Sequence, residues 1–327
     1  MISCRVTAES WQFIEPFGIA RAVTTEQQLI HVKLTDAQGR TGQAEAAGVD
    51  YEGETIAGMA EQVRRVAPHL SESLAVSALQ ELMSRGGARN AVDCALWDLR
   101  AKQTGVPVWQ AAGLAVPRPL LTAFTLGLGT AAEIRRKARA AINYPLLKLK
   151  VDSHRHIDVV NAVRAEHANA RLIVDANQSW SIELLKELLP ALAAAGVELI
   201  EQPVACGADA VLDGLNSPIP IAADESCTDR ASLPGLVGRY QYVNIKLDKC
   251  GGFTEALALA SAAEQLGFGL MVGNMCGSSL GMAPAFLIGQ RCRYVDIDGP
   301  LLQQLDREVP MVFEGAMVHC PLPALWG

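Results

Sequence analysis

The chain has 327 residues, of which half are apolar and 19% are charged, and its formal net charge is −7. This composition supports a large buried core, argues against disorder, and contains no basic run that would favour nucleic-acid binding. No apolar run reaches the roughly 18 residues of a membrane span, and the N-terminus lacks the apolar stretch of a signal peptide. The eight cysteines include no CxxC pair, which favours reduced thiols. We therefore expect a cytoplasmic protein with no membrane or nucleic-acid partner.

The first 116 residues predict an α+β unit. Residues 26–46 read as a β-hairpin, with DAQG as the turn between two β-patterned runs. From about residue 55 to residue 110, apolar residues recur every three or four positions, which predicts helices. The unit therefore opens with strands and continues with helices.

After Pro117 the pattern changes to short apolar runs that alternate with helical segments. Eight runs are candidate strands: LLTAFTL, LLKLKV, RLIVDA, VELIEQP, IPIAADE, YVNIKL, FGLMVG and YVDIDG. Continuous apolar strands separated by helices predict a parallel sheet that is covered on both faces, and eight repeats favour a closed (β/α) barrel. We place this barrel at residues 117–304. The β-like segment from about 305 to 327 is expected to return to the first unit.

Charged residues follow the apolar part of these strands at regular intervals. Four successive intervals of 22 to 26 residues separate five such positions: Lys150, Asp175, Glu201, Asp224 and Lys246. The carboxyl ends of barrel strands form the rim on which active sites are built. Because alternate residues of a strand face the same way, we expect four pairs to point inward: Lys148 with Lys150, Asp175 with Asn177, Lys246 with Asp248, and Asp296 with Asp298.

Three of these residues, Asp175, Glu201 and Asp224, predict a metal site. Carboxylates that converge on one rim repel each other and raise each other's pKa unless a cation lies between them. Three single carboxylate oxygens completed by water suit Mg²⁺. The chain lacks a loop of closely spaced oxygen ligands for Ca²⁺, and no His or Cys stands among the carboxylates as Zn²⁺ would favour. We therefore expect one Mg²⁺ per chain.

The segments KLK, VDAN, IEQP, ADES and VNIKLDKCGG, at these intervals, resemble the muconate-lactonizing subgroup of the enolase superfamily. The similarity covers the whole chain, including ARNAVDCALWDL in the first unit. Within the subgroup, ADESCTDR, NIKLDKCGGFTEALALA and the DID segment resemble the dipeptide epimerases, in particular those that act on L-Ala-D/L-Glu. The resemblance implies a (β/α)7β barrel, an enolase-type capping domain, Mg²⁺, a dipeptide substrate and the association of copies into a homo-oligomer.

The resemblance also implies roles at the two ends of the substrate. Asp296 and Asp298 would receive the dipeptide's ammonium group, and Arg21, in PFGIARAV, would pair with the side-chain carboxylate of Glu. The loop after the seventh strand, GNMCGSSLG, leaves the preferred dipeptide side chains open.

Epimerisation would proceed by removal of the proton next to the substrate carboxylate, which produces an enediolate that Mg²⁺ stabilises. A lysine base must lose its own proton near pH 7, and the like charge of Lys148 would help Lys150 to do so. Lys246, across the barrel mouth, would serve the other face of the same carbon. Asn177 and Asp248 would orient these groups, and Glu225 would either do the same or be structural.

Two classes of alternative remain. One is another reaction of the subgroup: o-succinylbenzoate synthase, muconate cycloisomerase or N-acyl amino acid racemase. These substrates have no cation, so the two inward carboxylates of Asp296 and Asp298 would repel them. The other is a non-catalytic binding protein, which would not need lysines on two faces of the site.

Overall fold

A computed structural model describes residues 2–20, 22–72 and 74–327. The chain begins with an antiparallel sheet in the order β1-β2-β3, formed by β1 (Ser3–Ile19), β2 (Ala22–Thr35) and β3 (Thr41–Ala46). The carboxylate of Asp36 accepts hydrogen bonds from the backbone N–H groups of Gln38 and Arg40, both at 2.9 Å, and so closes the predicted hairpin turn. The predicted hairpin is confirmed.

The α-helices described after this sheet and before the barrel are α1 (Ile56–Val66), α2 (Leu79–Leu82), α3 (Gly87–Thr104) and α4 (Val108–Ala111). Thr55 caps α1 by accepting a hydrogen bond from the backbone of Gly58 at 3.1 Å. Helix α3 packs directly against β3, where a side chain at Gly42 would lie 2.3 Å from the backbone of Leu99. Only glycine permits so close an approach.

The eight predicted strands form one parallel sheet in chain order. After the short β4 (Leu120–Leu121), the strands are β5 (Phe124–Leu126), β6 (Leu146–Lys150), β7 (Arg171–Asp175), β8 (Val197–Glu201), β9 (Ile221–Ala223), β10 (Tyr242–Ile245), β11 (Gly269–Val272) and β12 (Tyr294–Val295). The connecting helices are α5 (Ala131–Ala140), α6 (Ile157–Glu166), α7 (Ile182–Ala194), α8 (Leu247–Cys250), α9 (Phe253–Gln265) and α10 (Ser279–Gly289). The connections on either side of β9 contain 3₁₀ turns, at Asp209–Leu212 and Arg230–Gly235.

The sheet curls until its first and last strands meet. Three hydrogen bonds form this seam: Ala123 N to Val295 O at 2.7 Å, Ile297 N to Thr122 Oγ1 at 3.0 Å, and Thr125 N to Asp298 Oδ2 at 2.6 Å. The curled sheet encloses a separate core layer made of Ala123, Leu146, Ile173, Leu199, Ala222, Met271 and Tyr294. Packed side chains therefore fill the interior, and the predicted barrel architecture is confirmed.

The C-terminal segment runs back along the molecule. Strands β13 (Phe313–Glu314) and β14 (Met317–Val318) form a small antiparallel sheet with β4. The indole of Trp326 donates to Cys94 O at 3.0 Å, and Gly327 N donates to Asp98 on α3 at 2.8 Å. The last residues therefore pack against the first unit. Among the helices in the described ranges, none combines the length and apolar character needed to cross a membrane.

Candidate active site

A cavity of about 390 Å³ lies between the carboxyl ends of the barrel strands and the N-terminal unit. Its apolar wall comes largely from the N-terminal unit, including Phe13, Phe17 and Ile19 on β1. The lysines and the Asp296–Asp298 pair come from the rim of the barrel, and the N-terminal unit adds polar residues such as Glu26 and Gln28. A volume of this size suits a small molecule, and the mixture of apolar wall and converging charges is typical of a ligand site.

The three carboxylates predicted to hold a metal meet at this rim. Asp175 ends β7, Glu201 ends β8 and Asp224 directly follows β9. All three are buried, and each offers a carboxylate oxygen within 4.8 Å of the others. Burial and the charge of Asp175 raise the pKa of Glu201 to about 8. The charged form of Glu201 is therefore disfavoured in the absence of a metal, and a bound divalent cation would relieve this cost. The donor set fits Mg²⁺.

Lys148 and Lys150 both bind the same carboxylate. Lys150 Nζ lies 2.6 Å from Asp175 Oδ2, and Lys148 Nζ lies 3.1 Å from the same oxygen. Lys148 also contacts Glu201 Oε2 and Asp296 Oδ2, both at 2.8 Å. Burial opposes ionisation of Lys148, but Asp296, Glu201 and Asp175 together raise its pKa well above the usual value. Lys148 is thus a fixed cation beside Lys150.

Lys246 stands on the opposite side of the cavity. It follows β10, which is four strands from β6 in the eight-stranded curled sheet, and its Nζ lies 2.7 Å from Asp224 Oδ2. Burial opposes ionisation of Asp224, but Lys246 and Lys249 hold its pKa well below the usual range. Lys150 and Lys246 line the same cavity and approach it from opposite walls.

Sequence analysis missed Lys249. It lies one turn after Lys246 on α8, is fully buried, and donates to Asp224 Oδ1 at 2.6 Å, to Asn244 O at 3.0 Å and to the carbonyl oxygen of Asp224. It fixes the orientation of Asp224 from outside the cavity. The three-residue spacing between Lys246 and Lys249 could have indicated this role, because residues three positions apart are neighbours on a helix.

The expectation that Asp248 shares a strand face with Lys246 is wrong. Strand β10 ends at Ile245 and the chain then turns into α8, so the alternation of a strand no longer applies. The carboxylate of Asp248 instead accepts a hydrogen bond from Gly48 N of the N-terminal unit at 2.8 Å. Burial raises its pKa to about 7. Asp248 therefore connects the barrel to the N-terminal unit.

Asn177 and Glu225 are neighbours in the cavity wall. The backbone N–H of Asn177 donates to Asp175 Oδ1 at 2.9 Å, and its amide lies 3.5 Å from Glu225 Oε1. Asn177 has a positive φ of 43°, which turns the chain back over the end of β7. Asn177 thus orients Asp175 through its backbone.

Asp296 and Asp298 lie together where the sheet closes. Asp296 Oδ1 accepts from the hydroxyl of Thr125 at 3.3 Å, and Asp298 Oδ2 accepts from the backbone N–H of Thr125. Burial and the charge of Asp296 raise the pKa of Asp298 to about 7. Both line the cavity, so this end can receive a cation. Arg21 lies outside the described residues; within them, the cations that line the cavity are Lys148, Lys150 and Lys246.

Two family models match this chain in the order of its structural units. Residues 1–113 match the N-terminal domain of mandelate racemase/muconate lactonizing enzyme, and residues 129–321 match the enolase C-terminal domain-like family. The chain belongs to the enolase superfamily. In this enolase superfamily member, the carboxylate cluster and the three cavity lysines belong to the barrel, and the N-terminal unit forms the facing wall of the cavity.

Curated relatives within the superfamily include two enzymes that act on glutamate derivatives. The chain is 38% identical over 321 residues to the L-Ala-D/L-Glu epimerase of Escherichia coli (strain K12), covering 98% of this chain and all of the relative. It is 42% identical over 257 residues to the N-acetyl-D-glutamate racemase of a Pseudoalteromonas species, covering 79% of this chain and 81% of that enzyme.

Solved structures share the fold over the full length. An enolase family member from Agrobacterium tumefaciens with homology to dipeptide epimerases, crystallised with sodium and L-Ala-L-Glu, superposes with a TM-score of 0.97 at 39% identity and covers 100% of both chains. The dipeptide epimerase from Methylococcus capsulatus, complexed with Mg and L-Arg-D-Lys, superposes with a TM-score of 0.91 at 29% identity and covers 99% of both chains.

Proposed function

We propose that this enolase superfamily protein is a Mg²⁺-dependent dipeptide epimerase that interconverts L-Ala-L-Glu and L-Ala-D-Glu. One observation carries the proposal: the wall of the cavity combines a carboxylate–lysine cluster with a second pair of carboxylates, Asp296 and Asp298, and Lys148 lies between the two groups. A dipeptide carries both a carboxylate and an ammonium group, so each of its charges finds a group of opposite charge in this wall. The names of the relatives support the same reaction.

We assign the metal to Asp175, Glu201 and Asp224. When bound there, Mg²⁺ stabilises the negative charge that develops on the substrate carboxylate as the α-proton leaves. Lys148 adds a positive charge on the same side, because it lies between this cluster and Asp296. The carboxylate end of the substrate is thereby fixed, and its α-carbon is directed between the two remaining lysines.

Lys150 and Lys246 then move the proton. In one direction Lys150 accepts the proton from one face of the α-carbon and Lys246 donates a proton to the other face; in the reverse direction the roles exchange. Their positions on opposite walls suit this inversion, because a single base would return the proton to the face from which it took it. Asn177 orients Asp175, Glu225 lies beside it, and Arg21 is assigned to the Glu side-chain carboxylate.

We further propose a capping domain of residues 1–116, completed by about 305–327, and a barrel domain of residues 117–304. The contacts of Trp326 and Gly327 with α3 support the return of the C-terminal segment to the capping domain. A cytoplasmic role in recycling cell-wall peptides fits the eight free thiols and the L-Ala-D-Glu substrate. Self-association stays a prediction that light scattering of the purified protein would check.

The decisive experiment is incubation with Mg²⁺ and L-Ala-L-Glu in D₂O, followed by ¹H NMR. We expect the Glu α-proton signal to disappear while the L,D diastereomer accumulates. Lys150→Ala and Lys246→Ala should each abolish interconversion, and each should retain exchange of the α-proton in one diastereomer only. Lys186→Ala, at an exposed position of α7, is the matched control and should behave as wild type. Absence of exchange with any of a panel of Ala-Xaa dipeptides would overturn the proposal.

A second candidate, N-acyl amino acid racemisation, is favoured by the 42% identity to the N-acetyl-D-glutamate racemase. N-acetylglutamate has no ammonium group, so Asp298 would gain no partner from it. We therefore expect slower exchange with N-acetyl-L-glutamate than with L-Ala-L-Glu under the same conditions. Faster exchange with N-acetyl-L-glutamate than with L-Ala-L-Glu would favour N-acyl amino acid racemisation. The same absence of a cation argues against succinylbenzoate and muconate as substrates, and the paired lysines argue against a binding protein without catalysis.

A further inference from the structure

A buried ionic cluster joins the sheet of the capping domain to the wall of the cavity. Its centre is Glu45 on β3, whose side chain is 1% exposed. Glu45 Oε1 accepts from Ser278 N at 2.6 Å, and Oε2 accepts from the Ser278 hydroxyl at 2.5 Å. Arg307 donates to the same carboxylate and to Ser278 Oγ, the latter at 2.8 Å. Glu45 therefore binds one residue of the barrel through both of its oxygens.

Ser278 ends the loop that follows β11 and begins helix α10. Its hydroxyl accepts from Leu280 N at 3.3 Å as the helix cap. The carboxylate of Glu45 thus lies at the N-terminus of α10, where the helix dipole favours a negative charge. Ser279, the next residue, donates its N–H and hydroxyl to Asp306 at 2.8 and 2.5 Å. The start of α10 is consequently held by two carboxylates from outside the barrel sheet.

The carboxylate of Glu45 packs closely against two glycines, one in the loop and one in α10. A side chain at Gly277 or at Gly281 would lie 2.9 Å from Glu45 Oε1, so the carboxylate occupies the space between two glycines. On its other side the loop packs against the segment after β12, where a side chain at Gly299 would lie 2.9 Å from Gly277 O. The loop is therefore confined between the capping domain and the Asp296–Asp298 segment.

The same loop contacts the end of the cavity that is assigned to the ammonium group. Asn274 Nδ2 donates to the carbonyl oxygen of Asp296 at 2.7 Å, and Asn274 Oδ1 accepts from Cys276 N at 2.7 Å. Asn274, Met275 and Cys276 all line the cavity. A displacement of the loop would therefore move the backbone that carries Asp296.

We propose that Glu45 is a positioning residue for substrate binding: through Ser278 it holds the loop that supports Asp296 and so sets the affinity for the N-terminal end of the dipeptide. This rests on the proposed function. Glu45 does not line the main cavity and takes no part in proton transfer. Its loss should therefore raise KM much more than it lowers kcat.

The test compares Glu45→Gln with Glu9→Gln in the full-length protein. Glu9, on β1, is the second carboxylate partner of Arg307, at 2.7 Å, and it contacts His31 and Trp11. Both substitutions remove one carboxylate from Arg307, but only Glu45→Gln places an amide donor against Ser278. We expect Glu45→Gln to raise KM for L-Ala-L-Glu about tenfold, the factor expected for one lost charge-assisted hydrogen bond, and Glu9→Gln to leave KM unchanged.

Hydrogen exchange provides a readout that does not depend on turnover. Glu45→Gln should accelerate exchange of the Ser278 and Cys276 amides, and Glu9→Gln should not. Gly277→Ala, which perturbs the contact from the loop side, should reproduce the effects of Glu45→Gln; if Glu45→Gln does not fold, Ser278→Ala replaces it.

Two outcomes overturn the proposal: unchanged KM and unchanged exchange in Glu45→Gln, or equal effects of the Glu45 and Glu9 variants, which would indicate a general loss of stability. If the wild type turns over no dipeptide, the proposed function fails and the exchange comparison still decides whether Glu45 holds the loop.

Discussion

Replacing Asp298 by Asn tests the assignment of the ammonium site. Asn keeps the shape of the side chain and can still accept the hydrogen bond from Thr125 N, so the seam between β5 and β12 is preserved. The pKa of Asp298 rises from 3.8 to about 7, chiefly through burial. At 1.4 kcal/mol per pKa unit, ionisation of Asp298 costs about 4 kcal/mol more in the folded protein than in the unfolded chain. A bound ammonium group would offset that cost.

Loss of the charge should therefore lower kcat/KM for L-Ala-L-Glu by about 10²- to 10³-fold, the range for a broken buried ion pair. Activity toward N-acetyl-L-glutamate should change little, so the ratio of the two kcat/KM values, measured by ¹H NMR, reports the effect. The variant should also melt at a higher temperature above pH 7. Ionisation of this buried carboxyl lowers the free energy of unfolding of the wild type. The loss is absent below pH 3.8, the pKa in the unfolded chain, grows as the pH rises, and is complete above about pH 7. A variant with wild-type kcat/KM for the dipeptide would refute the assignment.

Three further predictions concern protons and metal. The wild-type kcat/KM for the dipeptide should fall about tenfold per pH unit below pH 7, because protonated Asp298 does not attract ammonium, and a pH profile of Asp298→Asn should lack this step. Lys249→Met should weaken Mg²⁺ binding about 10- to 100-fold in calorimetry, because Asp224 loses its orienting cation while the cavity wall is unchanged. Chelation by EDTA should abolish turnover and lower the melting temperature, since Asp175, Glu201 and Asp224 then lose the stabilisation of a bound divalent cation, and added Mg²⁺ should restore both.

The barrel and the converging carboxylates could be predicted from sequence because one geometric rule relates them. In a parallel barrel every strand ends on the same rim, so intervals of one strand plus one helix along the chain become neighbours in space. Asp175, Glu201 and Asp224 meet that condition, and the structure brings them within 4.8 Å. The same rule places Lys150 and Lys246 on opposite walls.

The rule fails where a strand ends early or where contacts join distant segments. Strand β10 ends at Ile245, so the alternation of side chains along a strand does not extend to Asp248, and the prediction that Asp248 faces the same way as Lys246 is wrong. No local pattern indicates that Glu45 will bind Ser278, 233 positions further along the chain. Such contacts depend on how the capping domain docks on the barrel, which the spacing of residues within either domain does not encode.

The seam that closes the barrel limits how the ammonium end of the site can evolve. Thr125 donates its backbone N–H to Asp298 and its hydroxyl to Asp296, so the residues assigned to the substrate's cation also join the first strand to the last. A mutation that replaces these carboxylates by apolar side chains, which cannot accept the two hydrogen bonds, would also weaken the closure of the sheet. Selectivity at this end is therefore coupled to the integrity of the scaffold, and a lineage that changes it would need a compensating substitution elsewhere along the seam.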